Sequence, residues 1–160
     1  MKIKILLIGI ILTCSLLTAQ AQDSMFDRLS DRDDISTVYI SKALLKMMPD
    51  TNIGGNIGGT NIKGLANKLE QMEIYSGEGN TANEVIRKEV RALVKSKSYE
   101  TLMAIQDKGQ NINFYVQKEK NLIKDLVMFI NDDKDQCMII RIMGSFTTED
   151  IQKVVEGSGK

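Results

Sequence analysis

Ile112, Phe114 and Val116 alternate with Asn111, Asn113, Tyr115 and Gln117, a period of two that a helix cannot keep on one face. This run is one of a series. Tyr99 to Gln106, 111–117, Leu122 to Ile130 and Gln136 to Met143 are each rich in apolar, β-branched or aromatic residues. Asp107-Lys108-Gly109-Gln110, Lys118-Glu119-Lys120-Asn121 and Asn131-Asp132-Asp133-Lys134-Asp135 separate them. Connections this short join antiparallel neighbours, so the C-terminal half is expected to be a four-strand meander. Leu126 to Ile130 is apolar on both faces, which asks for cover on both sides of that strand.

The first half carries helices around shorter strands. Met25, Phe26 and Leu29 have near-helical spacing. Residues 35–40, Ile-Ser-Thr-Val-Tyr-Ile, read as a strand. Ser41 caps a helix that Pro49 ends. Residues 61–70 read as helical and 71–76 as a short strand. Thr81 and Glu84 form a capping box before Val85, Ile86, Val90, Leu93 and Val94, the clearest amphipathic stripe in the chain. Arg87, Lys88, Glu89 and Arg91 fall largely off that stripe and read as a solvated face. Thr147 or Thr148 caps a final helix carrying Ile151. The expected fold is α+β, an antiparallel sheet with a four-strand C-terminal meander and helices packed mainly on one face. Residues 35–156 form this domain, 22–34 a polar N-terminal segment and 157–160 a loose tail.

The N-terminus reads as an export signal. Lys2 and Lys4 precede an apolar run from Ile5 to Leu17, and Ala19-Gln20-Ala21 supplies a small-x-small cleavage pattern. Residues 1–21 are therefore expected to be removed, with the cut between Ala21 and Gln22. The apolar run is too short for a permanent span. The rival reading lipidates Cys14, but Thr13 before it is a poor fit to a lipobox, which wants a small residue there. The expected location is the periplasm or outer envelope, lipid-anchored only if Cys14 is modified.

Composition narrows the chemistry. The 160 residues contain no His, and 21 basic residues balance 21 acidic ones. A histidine general base, a His-containing metal site and a strongly basic nucleic-acid surface are excluded. Loss of the leader leaves Cys137 without a disulfide partner, and its run Cys137-Met138-Ile139-Ile140 reads as buried. Asn52-Ile53-Gly54-Gly55 repeats as Asn56-Ile57-Gly58-Gly59, but no Gly-Lys-Ser/Thr follows, so a loop is expected and not a phosphate cradle. Glu70 and Glu73 are spaced to share a helix face, while Asp132, Asp133 and Asp135 fit turn chemistry. Nothing joins these carboxylates into an acid–base set, so no enzyme activity, cofactor or metal is expected.

Asp34-Ile35-Ser36-Thr37-Val38-Tyr39-Ile40-Ser41-Lys42, Tyr99-Glu100-Thr101-Leu102-Met103 and Ile140-Arg141-Ile142-Met143-Gly144 come in an order and spacing with a counterpart. Together they resemble a family of small exported Bacteroidetes proteins known as a domain of unknown function. The resemblance covers nearly the whole mature chain. It implies an envelope location and, through the gene neighbourhoods of relatives, a part in envelope stress or signalling; it lends no activity or ligand. It also gives meaning to Asp23-Ser24-Met25, since such bacteria O-glycosylate exported proteins at Asp-Ser/Thr before an apolar residue. Ser24 is thus a candidate modification site, its plainer role being a helix cap.

The expected function is non-catalytic: an exported protein that binds another protein or an envelope component. Asn111, Asn113, Tyr115 and Gln117 form the candidate interaction surface. The alternative is a carrier holding a small apolar ligand or lipid between sheet and helices. No nucleic-acid partner is expected, and the oligomeric state is left open.

Overall fold

The computed structural model describes residues 24–47, 67–107, 109–132 and 136–157. Cys14, Ala21, Gln22, the Gly-rich repeat at 52–59, Asp133 and Asp135 lie outside them. The elements run α1 (Met25–Ser30), β1 (Ile35–Ser41), α2 (Lys42–Met47), β2 (Leu69–Gly77), α3 (Asn80–Lys95), β3 (Glu100–Asp107), β4 (Gln110–Glu119), β5 (Leu122–Asp132), β6 (Gln136–Phe146) and α4 (Thr148–Gly157). The fold is α+β. All six strands join one antiparallel sheet in the order β1-β2-β6-β5-β4-β3. Strands β3 to β6 form the expected meander, and β2 docks on β6 to bring β1 in at the far edge.

Strand alternation splits the core in two. On one face α1 and α3 pack Met25, Phe26, Leu29, Ala82, Ile86, Val90 and Leu93 against Tyr75, Val127 and Ile139. On the other, Phe114, Val116, Leu126, Met128, Ile140 and Ile142 gather Leu45 of α2 and Ile151 of α4. β5 feeds both clusters, which is why it is apolar throughout its middle. Most of the buried helical side chains among the described residues serve the first face.

Local chemistry explains the element ends. Ser24 caps α1 in a capping box: its Oγ accepts from the Asp27 N–H at 3.1 Å, and Asp27 accepts from the Ser24 N–H at 3.0 Å. Ser41 Oγ accepts from the Leu44 N–H at 3.3 Å, starting α2 as its position suggests. Thr147, not Thr148, caps α4 through a reciprocal exchange with Asp150.

Two expectations fail. The helix expected over 61–70 gives way, over its described part, to a short turn at 67–68 and the first residues of β2. A register shift between Leu69 and Gln71 puts Leu69 with Met72 in the same core cluster. That bulge creates an apolar spacing of three inside a strand, and such spacing imitates a helix. The Thr81–Glu84 capping box also does not form. α3 begins at Asn80 behind Gly79, which sits at φ 86 and offers no side-chain cap. Glu84 instead pairs with Arg87 at 2.8 Å.

Candidate functional site

The face that holds α1 and α3 is only partly roofed. α3 lies over β2 and β6 and is fixed there by Asn83, a fully buried side chain whose Oδ1 accepts from the Cys137 N–H at 3.1 Å. Beyond α3, β4 turns its odd-numbered residues to the same face. The seam between them is a groove of about 360 Å³. Tyr115 and Phe129 form its floor, Val90 and Val94 its wall, and Arg87, Arg91, Lys95 and Asn131 its rim. Val94 is exposed, so apolar surface reaches solvent here.

The rim has order. Arg87, Arg91 and Lys95 recur every four residues and so stack along one flank of α3. Arg87 is anchored, its Nε donating to Asn131 Oδ1 at 3.0 Å and its Nη1 to Glu84 at 2.8 Å. Arg91 and Lys95 are exposed. Burial pushes the Tyr115 phenol above its ordinary pKa, so it stays neutral as a hydrogen-bonding surface.

The four residues singled out in the sequence meet different surroundings. All lie on one face of β4. Tyr115 is buried in the groove floor, Asn111 and Asn113 are half-buried on the open sheet beyond it, and Gln117 is exposed. Gln117 borders a second cleft of about 430 Å³, shared with Ser24, Phe26 and Arg28 of the α1 region, Glu89 and Leu93 of α3, Tyr99 and Arg141. Arg28 and Glu89 close an ion pair of 2.5 Å between the two helices at this cleft. The cationic flank of α3 was read as plain solvated surface; its spacing of four beside Val90 and Val94 is the signal that marks it.

Beneath the second cleft lies a charge cluster that sequence spacing does not reveal. Arg141 reaches Asp125 Oδ2 at 2.7 Å through Nη2 and Glu73 Oε2 at 3.2 Å through Nη1. The Phe26 ring covers its guanidinium at 3.7 Å. Tyr99 donates to Asp125 at 2.9 Å and Tyr75 to Glu73 at 2.8 Å. Burial pushes both phenols well above their ordinary pKa, and the neighbouring carboxylates push the same way. Burial works against the Arg141 charge, but Asp125 and Glu73 outweigh it and hold its pKa above the ordinary value. Asp125 Oδ1 has no hydrogen-bond partner among the described residues.

These carboxylates are engaged in holding Arg141 and the tyrosines. Glu70 and Glu73, expected on one helix face, sit on a strand; Glu73 points into this cluster, and exposed Glu70 lies 3.8 Å from Lys42. Cys137 is buried as expected, with its thiol 3.1 Å from Asn131 Oδ1. Ser24 is exposed at the start of α1. Among the described residues no cluster of three or more His, Cys, Asp or Glu could hold a metal ion, and no helix is long and apolar enough to cross a membrane.

Residues 26–154 match the family model described as Domain of unknown function (DUF4252). No curated protein and no solved structure matches the chain. The family match runs through all six strands and takes in the groove, the charge cluster and the second cleft apart from Ser24 and Met25. The chain belongs to the DUF4252 family, a domain of unknown function.

Proposed function

We propose that this protein is a non-catalytic binding module of the cell envelope that holds a protein partner in the seam between α3 and the open half of the sheet. The observation that carries the reading is the composition of that seam: an aromatic floor, a valine wall of which Val94 is exposed, a row of cations and an adjoining asparagine shelf. An apolar centre with a polar and charged border is the anatomy of a protein interface. Its cations fit an acidic partner segment with one apolar side chain to anchor on Tyr115 and Phe129. Export rests on the Lys2–Lys4 start, the apolar run and Ala19-Gln20-Ala21.

A photo-crosslinker placed at Val94 tests this in the native envelope. A defined protein adduct is expected, lost in the double variant Arg91→Glu, Lys95→Glu and kept in the control Lys120→Glu. An adduct pattern indifferent to the charge reversal defeats the reading. The aromatic floor also suits the carrier alternative, whose occupant would be a small anionic amphiphile. Native mass spectrometry of protein taken from its own envelope would then show a bound mass in the lipid range. The same spectrum reads the N-terminus: a chain starting at Gln22 supports export with cleavage, added acyl mass at Cys14 supports the anchor, and added sugar at Ser24 supports glycosylation.

A further inference from the structure

Among the described residues the outer edge of β1 is bare, and no strand pairs with it. Its sequence Ile-Ser-Thr-Val-Tyr-Ile-Ser contains no charge, no proline and no glycine, and its ladder to β2 has no bulge. Sheet edges are ordinarily blunted by such devices. The opposite edge, β3, has two: Glu100, paired with Lys118, and a register shift between Thr101 and Met103. Exposed apolar side chains also gather at the β1 end. Val38 and Tyr39 of β1 are 47% and 60% exposed, and Leu44 and Met47 of α2 are 43% and 78% exposed.

The edge is suited to one particular partner. The Glu78 N–H donates to the Asp34 carbonyl at 3.0 Å, so the Asp34 carbonyl points to the β2 side. Alternation along the ladder then turns Ser36, Val38 and Ile40 toward β2 and Ile35, Thr37, Tyr39 and Ser41 outward, the Ile35 N–H being held by the Arg32 carbonyl at 3.3 Å. Two copies of an antiparallel edge related by a two-fold axis must place some residue opposite itself. Centring on Val38 sets Thr37 against Tyr39, Ile35 against Ser41 and Ser36 against Ile40. Every outward-facing residue of β1 then meets another outward-facing one. Just beyond the strand, Asp34, held by Arg32 at 2.7 Å, and Lys42, the first residue of α2, flank opposite ends of β1, so a two-fold pair brings opposite signs near each other at both ends. No like charges meet anywhere along the contact.

We infer that β1 is a self-pairing edge, and that two copies of this chain join antiparallel across a two-fold axis at Val38 into one continuous sheet. The Tyr39–Thr37 pair stacks an aromatic on a β-branched side chain on one face, and Val38 meets its own copy on the other. The inference is independent of the seam on the far side of the sheet.

Sedimentation of the purified protein across a dilution series tests it, with circular dichroism confirming that each variant is folded. The wild type is expected to show a reversible monomer–dimer equilibrium. Val38→Lys and Val38→Glu each set like charges face to face, and each is expected to weaken the dimer about tenfold or more. Mixing the two variants is expected to restore a one-to-one dimer. Val38→Cys is expected to form an intermolecular disulfide under mild oxidation, because a residue facing itself brings the two Cβ atoms within bonding range. Cys137 is buried and takes no part. A wild type that stays monomeric up to about millimolar concentration, or a dimer that Val38→Lys leaves unchanged, overturns the inference. A strand from a different protein on this edge would give the first of these outcomes.

Discussion

Arg141 holds two carboxylates from two neighbouring strands and lies under an aromatic ring from α1. Removing it leaves Asp125 and Glu73 facing each other across β6 without compensation, the costly way to break a buried pair. Arg141→Met is expected to lower stability by about 3 kcal/mol in urea unfolding. The cluster was not legible in the sequence, because Glu73 lies 68 residues from Arg141 and meets it and Asp125 only through the pairing of β2 with β6. Cys137 was easier to place, from its apolar run; the period of two put Tyr115 on a face of β4 with polar residues, and the structure buries it there. Asp150 carries a pH prediction. The Lys68 ammonium at 2.5 Å, joined by the Thr147 N–H, lowers its pKa to about 2 from an ordinary 3.8. Its folded-state value lies below its unfolded one, so this contribution is present above about pH 4 and is lost as pH falls through about 2. Urea midpoints should fall over that window in the wild type, and Asp150→Asn should flatten part of the fall.

Elements were legible wherever their own period identified them. The meander strands announced themselves by alternation and by short polar turns. α3 announced itself by a stripe, of which Ile86, Val90 and Leu93 are buried. β2 was mistaken at its start because a bulge sets Leu69 and Met72 on one face, and sequence cannot separate that from a helical turn. The turn feeding β2 has a second constraint. A Cβ on Gly144 would strike the Lys68 carbonyl oxygen and the Phe146 ring, so β6 passes there with no room for a side chain. Gly144→Ala is expected to cost about 2 kcal/mol, since backbone must move to admit it. Denaturant unfolding measures it, and a cost near zero would show that the bulge yields freely. The candidate seam was legible in the sequence at one residue. Of its strand side the sequence singled out Tyr115 and not Phe129, and its helix side required knowing that α3 leaves β4 uncovered.

At the scale of the molecule, one sheet separates two cores, and both depend on β5 and β6. The short turns foretold the neighbours within the meander, but nothing in the sequence foretold that β2 would lie on β6. The junction that completes the sheet is β2 on β6, between segments that α3 and the whole meander separate in the chain. Contacts of that kind carry a large loop-closure cost, while the three hairpin pairings of the meander are local. The order in which the chain is made therefore differs from the order in which it can be finished. The ribosome releases β1 and β2 first, yet the surface they dock on exists only after β6 has emerged. Until then β2 waits with the edge that β6 will pair still open, so the pairing that closes the sheet is the last one that synthesis permits.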